Sequence, residues 1–179
     1  MTHINFSSPR LQIDLIKREH AQNAVAVLQH KELYRYIPQN PPTLEDLENR
    51  YSFWENRSSP DGTEYWLNWV ILIPSSQQIV GTLQAGIHKE RKEASIAYMI
   101  GIAFQGKGYG TEAVQALIQH CRIHYGVRVF KAWIDTRNTA SIRLVQTLGM
   151  EQIEYIEKAD HFDGQDSDEF VFQRTYTDL

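Results

Sequence analysis

The sequence predicts an α+β fold, a sheet with helices on its faces. Strand-like and helix-like periodicities follow one another in the order β-α-α-β-β-β-α-β-α-β-β. Consecutive strands in the middle are separated only by Pro74-Ser75-Ser76-Gln77 and Lys89-Glu90-Arg91-Lys92, breaks short enough for hairpins. That meander is incompatible with a regular doubly wound βαβ repeat.

Each element has a local reason. Leu11 to Ile16 alternates, with Leu11, Ile13 and Leu15 on one face. His20 to His30 places Ala21, Ala24, Val25 and Leu28 on one side of a helix, and Tyr34 to Pro38 reads as a loop with exposed aromatics. Thr43 with Asp46 resembles a capping box before Leu44, Leu47, Tyr51 and Trp54 at helical spacing. The meander runs from Tyr65 to Ile73, Ile79 to His88 and Ala94 to Ile100. A helix from Thr111 to Tyr125 carries Val114, Leu117, Ile118 and Cys121, and Gly126 ends it. Val127 to Ile134 is a strand, and Asn138 caps a short helix closed by Gly149. Glu151 to Ile156 and Glu169 to Tyr176 are strands around a solvated acidic loop, Asp160 to Asp168.

A chain of 179 residues without a linker or repeat is expected to form one domain, residues 1–179. At 42% hydrophobic and 22% charged residues it can build a core. Its formal charge of −4 disfavours nucleic acid as a partner. The lone Cys121 fits a reducing compartment and a buried thiol. Met1 to Phe6 does not read as a signal peptide, and no apolar run approaches the roughly 20 residues of a membrane span. The expectation is a cytoplasmic protein without a membrane partner, monomeric or homodimeric.

The chemistry concentrates at Gln105-Gly106-Lys107-Gly108-Tyr109-Gly110, just before the helix that begins near Thr111. Glycines let the backbone curl, and a helix start adds unpaired N–H groups and the positive end of its dipole. The result is an anion cradle suited to a pyrophosphate, or simply a strand-to-helix turn. It matches neither a Walker A loop nor the G-x-G-x-x-G dinucleotide fingerprint.

Gln105-x-x-Gly108-x-Gly110 matches the Q/R-x-x-G-x-G/A signature of the GCN5-related N-acetyltransferases. Ala94 to Ile100, Asn138 to Leu144 and Leu148-Gly149-Met150 fall in the family's order around it. Tyr36-Ile37-Pro38, Pro41 to Asp46, and Gly164-Gln165 with Asp168 resemble the ribosomal-protein N-terminal (RimJ/RimL-type) branch, so the resemblance covers about Arg10 to Tyr176. It implies a mixed, mainly antiparallel central sheet with helices on both faces. It also implies acetyl-CoA as cosubstrate and no metal. The pyrophosphate would lie on Gln105, Gly106, Lys107, Gly108, Tyr109, Gly110 and Thr111, and the pantetheine arm along Met99 and Ile100. Asn138 would sit near the pantetheine and Ser141 near the thioester sulfur, as the catalytic hydroxyl for the leaving thiolate. Both also read as parts of a helix cap.

The implied reaction is direct attack by an amine, from a protein N-terminus or a small molecule. Neutralising an α-amine at pH 7 costs roughly 1 kcal/mol and a lysine amine roughly 4–5 kcal/mol, so an α-amine needs only a weak base. Where this branch commonly has glutamate in the strand before the loop, this chain has Ser95. That departure leaves the base unassigned and keeps a catalytically silent acyl-CoA sensor as the alternative. Glu112 reads as a dipole partner, Tyr98 as a packed sheet residue, and His120 and His124 lack a supporting ligand set. Tyr34, Tyr36 and Trp54 are candidates to line the acceptor cleft.

Overall fold

The structure, a computed structural model, describes residues 4–177; the signal-peptide expectation rests partly on residues 1–3, which lie outside them. One eight-stranded sheet runs in the order β1-β2-β3-β4-β5-β6-β8-β7. β1 is Phe6–Ser7, β2 Gln12–Leu15, β3 Glu64–Ile73, β4 Gln78–His88, β5 Glu93–Ile100, β6 Val129–Asp135, β7 Glu151–Phe162 and β8 Gln165–Thr175. Every neighbouring pair is antiparallel except β5–β6. This is the mixed, mainly antiparallel sheet expected.

Helices cover both faces, because alternate strand residues supply two apolar surfaces. α1 (Ala21–Leu28) and α2 (Leu44–Trp54) pack on Val70, Leu72 and Ile79. α3 (Tyr109–Tyr125) and α4 (Thr139–Thr147) pack on the other face, against Trp69, Leu83, Ile96 and Phe130. Buried on both sides, β3 reads as a continuous apolar run rather than an alternation. The capping box of α2 forms: Thr43 N–H donates to Asp46 Oδ2 at 2.8 Å and Asp46 N–H to Thr43 Oγ1 at 3.2 Å. Such a cap contributes about 1 kcal/mol. Gly126, at φ 67°, closes α3 by donating to Arg122 and Cys121 carbonyls.

Four local expectations change. Tyr34 is buried and ends a short 3₁₀ turn. The acidic stretch Asp160 to Asp168 is a β-hairpin, not a solvated loop. Asp163 and Gly164 turn it with φ of 51° and 73°, the left-handed pair a two-residue hairpin requires. α3 begins at Tyr109, inside the glycine loop. Phe6–Ser7 adds an edge strand too short to show periodicity.

Candidate active site: a split in the sheet headed by the glycine loop

β5 and β6 pair only from Glu93↔Val129 to Ser95↔Lys131, then part. Beyond Ser95, β5 continues on β4 alone, pairing Met99 with Thr82 and Ile100 with Gly81. Gly101 N–H extends this by donating to Val80 O at 2.9 Å. Antiparallel alternation then turns the main-chain groups of Met99 toward β4 and those of Tyr98 and Ile100 toward the gap. The Ile100 carbonyl accepts from Gln105 Nε2 at 2.9 Å. A strand edge with unpaired groups can take an extended, amide-bearing ligand as an added strand.

The glycine loop sits at the mouth of this gap. Gly106 and Gly108 adopt φ of 72° and 79°. Gln105 N–H still bonds Ile102, and Glu112 N–H bonds the Gly108 carbonyl as the first helical bond. Between them, the N–H groups from Gly106 through Thr111 have no acceptor among the described residues. Such a row at a helix start binds an anion well. Gly110 is needed for space: a Cβ there would lie 2.9 Å from Leu144 Cδ1 and 3.4 Å from Ile100 Cγ1. The loop residues therefore fit a pyrophosphate. Lys107 turns back, donating from Nζ to the Ala103 carbonyl at 2.9 Å.

Arg10, which the sequence reading did not single out, lies over this loop. Its Nη1 donates to the Lys107 carbonyl at 3.0 Å, and its guanidinium stands 4.8 Å from the Tyr109 ring centre. Glu112 anchors it, receiving Arg10 Nε at 2.6 Å, Arg10 N–H at 2.9 Å and Ser8 Oγ at 2.6 Å. Burial would raise the Glu112 pKa, but these bonds outweigh it and hold the carboxyl low. Glu112 is thus an ionised clamp.

On the other bank of the gap, Asn138 caps α4 by accepting Ser141 N–H at 3.1 Å. The Ser141 hydroxyl has no hydrogen-bond partner among the described residues, while its carbonyl accepts Tyr98 Oη at 3.3 Å. Burial pushes the Tyr98 hydroxyl up to about 12, so it stays a proton donor that ties β5 to α4. The turn before Asn138 is fixed by buried Asp135. It accepts Arg137 N–H at 2.8 Å, Arg137 Nη2 at 2.6 Å and Ser167 Oγ at 2.6 Å. Burial alone would raise the Asp135 pKa, yet these donors outweigh it and lower the value.

Glu169 differs. It lies on β8 opposite Asp135, half-buried, and its carboxylate has no hydrogen bond or ion pair among the described residues. Burial raises its pKa, and the nearby Asp160 and Asp135 raise it further. No local pattern marks Glu169, because its neighbours come from β6 and β7.

Of the aromatics expected at an acceptor cleft, Trp54 lines a cavity beside the β5–β6 parting. Tyr34 instead lines a separate cavity of about 690 Å³ with Arg35, Pro38 and Phe162. His120 is buried, its ring stacked 4.3 Å from Phe6, and its Nε2 has no hydrogen-bond partner among the described residues.

A split sheet with an anion cradle at its mouth and a cleft at its parting defines a coenzyme A-binding acyltransferase architecture. Residues 10–151 match the family model for the acetyltransferase (GNAT) domain, and the chain belongs to that family. It is 30% identical over 83 residues to p20 of Bacillus licheniformis, named an uncharacterized N-acetyltransferase. That match covers 46% of this chain and 47% of p20, about half of the relative's length. Similar solved structures share the fold at lower identity. The S5-alanine acetyltransferase of Vibrio fischeri aligns with TM-score 0.84 and 19% identity over 97% of both chains. RimL, the ribosomal L7/L12 α-N-protein acetyltransferase, solved with coenzyme A, aligns with TM-score 0.83 and 21% identity over 94% of this chain and 95% of its own. A GNAT acetyltransferase of Bacillus anthracis aligns with TM-score 0.82 and 19% identity over 96% and 98%.

Proposed function

We propose that this protein transfers an acetyl group from acetyl-CoA to the α-amine of a protein N-terminus by direct attack. The observation that carries the reading is the parting of β5 and β6 beneath the free N–H row from Gly106 to Thr111. In this reading that row and Arg10 hold the pyrophosphate. Tyr98 and Ile100 pair with the pantetheine arm, Met99 fixes β5 against β4, and Asn138 borders the arm from α4. Acetyl-CoA supplies the activated thioester. The Ser141 hydroxyl hydrogen-bonds the departing thiolate, and Glu169 accepts the proton the amine sheds. The fold-sharing RimL and S5-alanine enzymes are named for protein acceptors, which supports the same acceptor class here.

The test is coenzyme A release with N-terminally free and N-terminally blocked copies of one peptide, with the product mapped by mass spectrometry. Acetylation at the free α-amine alone is expected. Coenzyme A binding without transfer to any amine would favour an acyl-CoA sensor instead. Glu169 has its own readout. Protonation below its raised pKa removes the base, so kcat/KM should fall on the acidic side. The charged groups acting on it are Asp135 from β6 and Asp160 from β7. Glu169→Gln should lower kcat and flatten the acidic side of the kcat profile, leaving in kcat/KM the limb set by ionisation of the amine itself; an unchanged kcat profile removes Glu169 from the role.

A further inference from the structure

On the α1/α2 face of the sheet, against the parting of β5 and β6, lies an open cavity of about 400 Å³. Trp54 from the end of α2, Trp66 from β3 and Trp133 from β6 line it, with Asn68, Gln84 and Ser95 between them. The register explains the grouping. Asn68 pairs with Gln84, Trp66 with Gly86, and Gly86 with Ser95, so these residues share one face of three adjacent strands.

Asn68 is only 6% exposed, and its side-chain amide has no hydrogen-bond partner among the described residues. The adjoining Gln84 amide likewise has none. Both amides reach the solvent of the cavity and are free to bond a ligand that enters it. Both amides line the cavity, and at its edge the Glu64 carboxylate accepts Trp66 Nε1 at 2.9 Å. Glycine at 86 keeps it open, since a Cβ there would come within 2.7 Å of Ser95 Oγ. Serine at 95, where the related branch commonly carries glutamate, adds no further carboxylate to it.

Resting on the reading of N-terminal acetylation, we infer that this cavity selects acceptor chains whose first residue is bulky and not acidic. The side chain lies among the three indoles, and the first peptide group meets the carboxamides of Asn68 and Gln84. A carboxamide offers both donors and an acceptor, the complement of a peptide N–H and C=O. Indole faces reward a large apolar or aromatic side chain, whereas serine or alanine leaves most of the volume unfilled. An acidic side chain would be repelled by the Glu64 carboxylate beside Trp66.

The experiment measures steady-state kinetics with peptides identical except for a first residue of Tyr, Met, Ser, Asp or Lys, and with glucosamine as a sugar amine. The Tyr and Met peptides should show KM at least about tenfold below the Asp peptide. Asn68→Leu and Trp133→Ala should each compress that ranking, raising KM for the Tyr peptide by about tenfold, more than they lower kcat. Coenzyme A affinity should stay unchanged in both. Trp133 is 45% exposed, so Trp133→Ala tests the pocket even if Asn68→Leu does not fold. Equal kcat/KM for all peptides overturns this inference and leaves N-terminal acetylation standing. Turnover of glucosamine with none of the peptides overturns both.

Discussion

Removing the Arg10 guanidinium should separate the donor site's charge recognition from its shape. The group reaches the loop from the start of β2, with Nη2 placed 3.3 Å from where a Cβ on Gly108 would lie. Its fold contribution is small. The Arg10–Glu112 pair at 2.6 Å has a half-exposed arginine, and Glu112 retains bonds from Ser8 Oγ and Arg10 N–H after truncation. Arg10→Ala should therefore cost roughly 0.2–1 kcal/mol of stability. Its ligand contribution should be larger, since a hydrogen bond to a charged group contributes about 1.5–3 kcal/mol. At 1.4 kcal/mol per decade that is roughly a 10- to 100-fold rise in the coenzyme A Kd. Calorimetric titration of coenzyme A and of pantetheine, which lacks the pyrophosphate, gives the comparison. Coenzyme A should weaken, pantetheine should not, and the salt dependence of coenzyme A binding should flatten. Arg10→Lys should recover only part of the loss, because a point charge lacks the fork geometry. Equal weakening of both ligands, or of neither, would show that Arg10 is not a phosphate contact.

Gly110→Val should force α3 away from Leu144 and Ile100, costing about 1–3 kcal/mol and weakening coenzyme A binding; wild-type affinity would sink the cradle. Ser141→Ala keeps the backbone N–H bonded to Asn138, so turnover should fall while coenzyme A affinity holds, and unchanged turnover would reduce Ser141 to its cap position. Burial, with His124 adding to it, lowers the His120 pKa to about 4 from 6.5. The unfolded chain therefore takes up this proton first. Stability should fall as pH drops from 6.5 to about 4 and level off below. His120→Phe should flatten that part of a urea-midpoint profile, and an identical slope in both proteins would remove His120 as its source.

Legibility in the sequence followed the range of the interaction. The Thr43 and Asn138 caps form as expected because each bond closes within three residues. The Asp163-Gly164 turn was equally local, but the acidic flanks masked it: those carboxylates are spent inside the hairpin, with Asp168 accepting Tyr155 Oη at 2.6 Å and Lys158 N–H at 2.8 Å. Trp133 gave no signal of its place. Half-exposed on β6, it belongs with Trp66 of β3 and Trp54 of α2 only because the sheet sets just β4 and β5 between β3 and β6.

The sequence alone determined the glycine loop and the helix start behind it. Glycine φ values, a helix start and strand alternation are short-range consequences of residue type, so the Gln105 to Gly110 loop and the strand before it could be read directly. Only the tertiary structure decided what stands around that loop and in the cavity beside it. Arg10 meets Glu112 across 102 residues, Ser167 reaches Asp135 across 32, and the unpartnered Asn68 amide faces a cavity built from α2, β3, β4, β5 and β6. Which polar groups are satisfied and which remain free depends on what the fold brings beside them, and that quantity is absent from any local pattern.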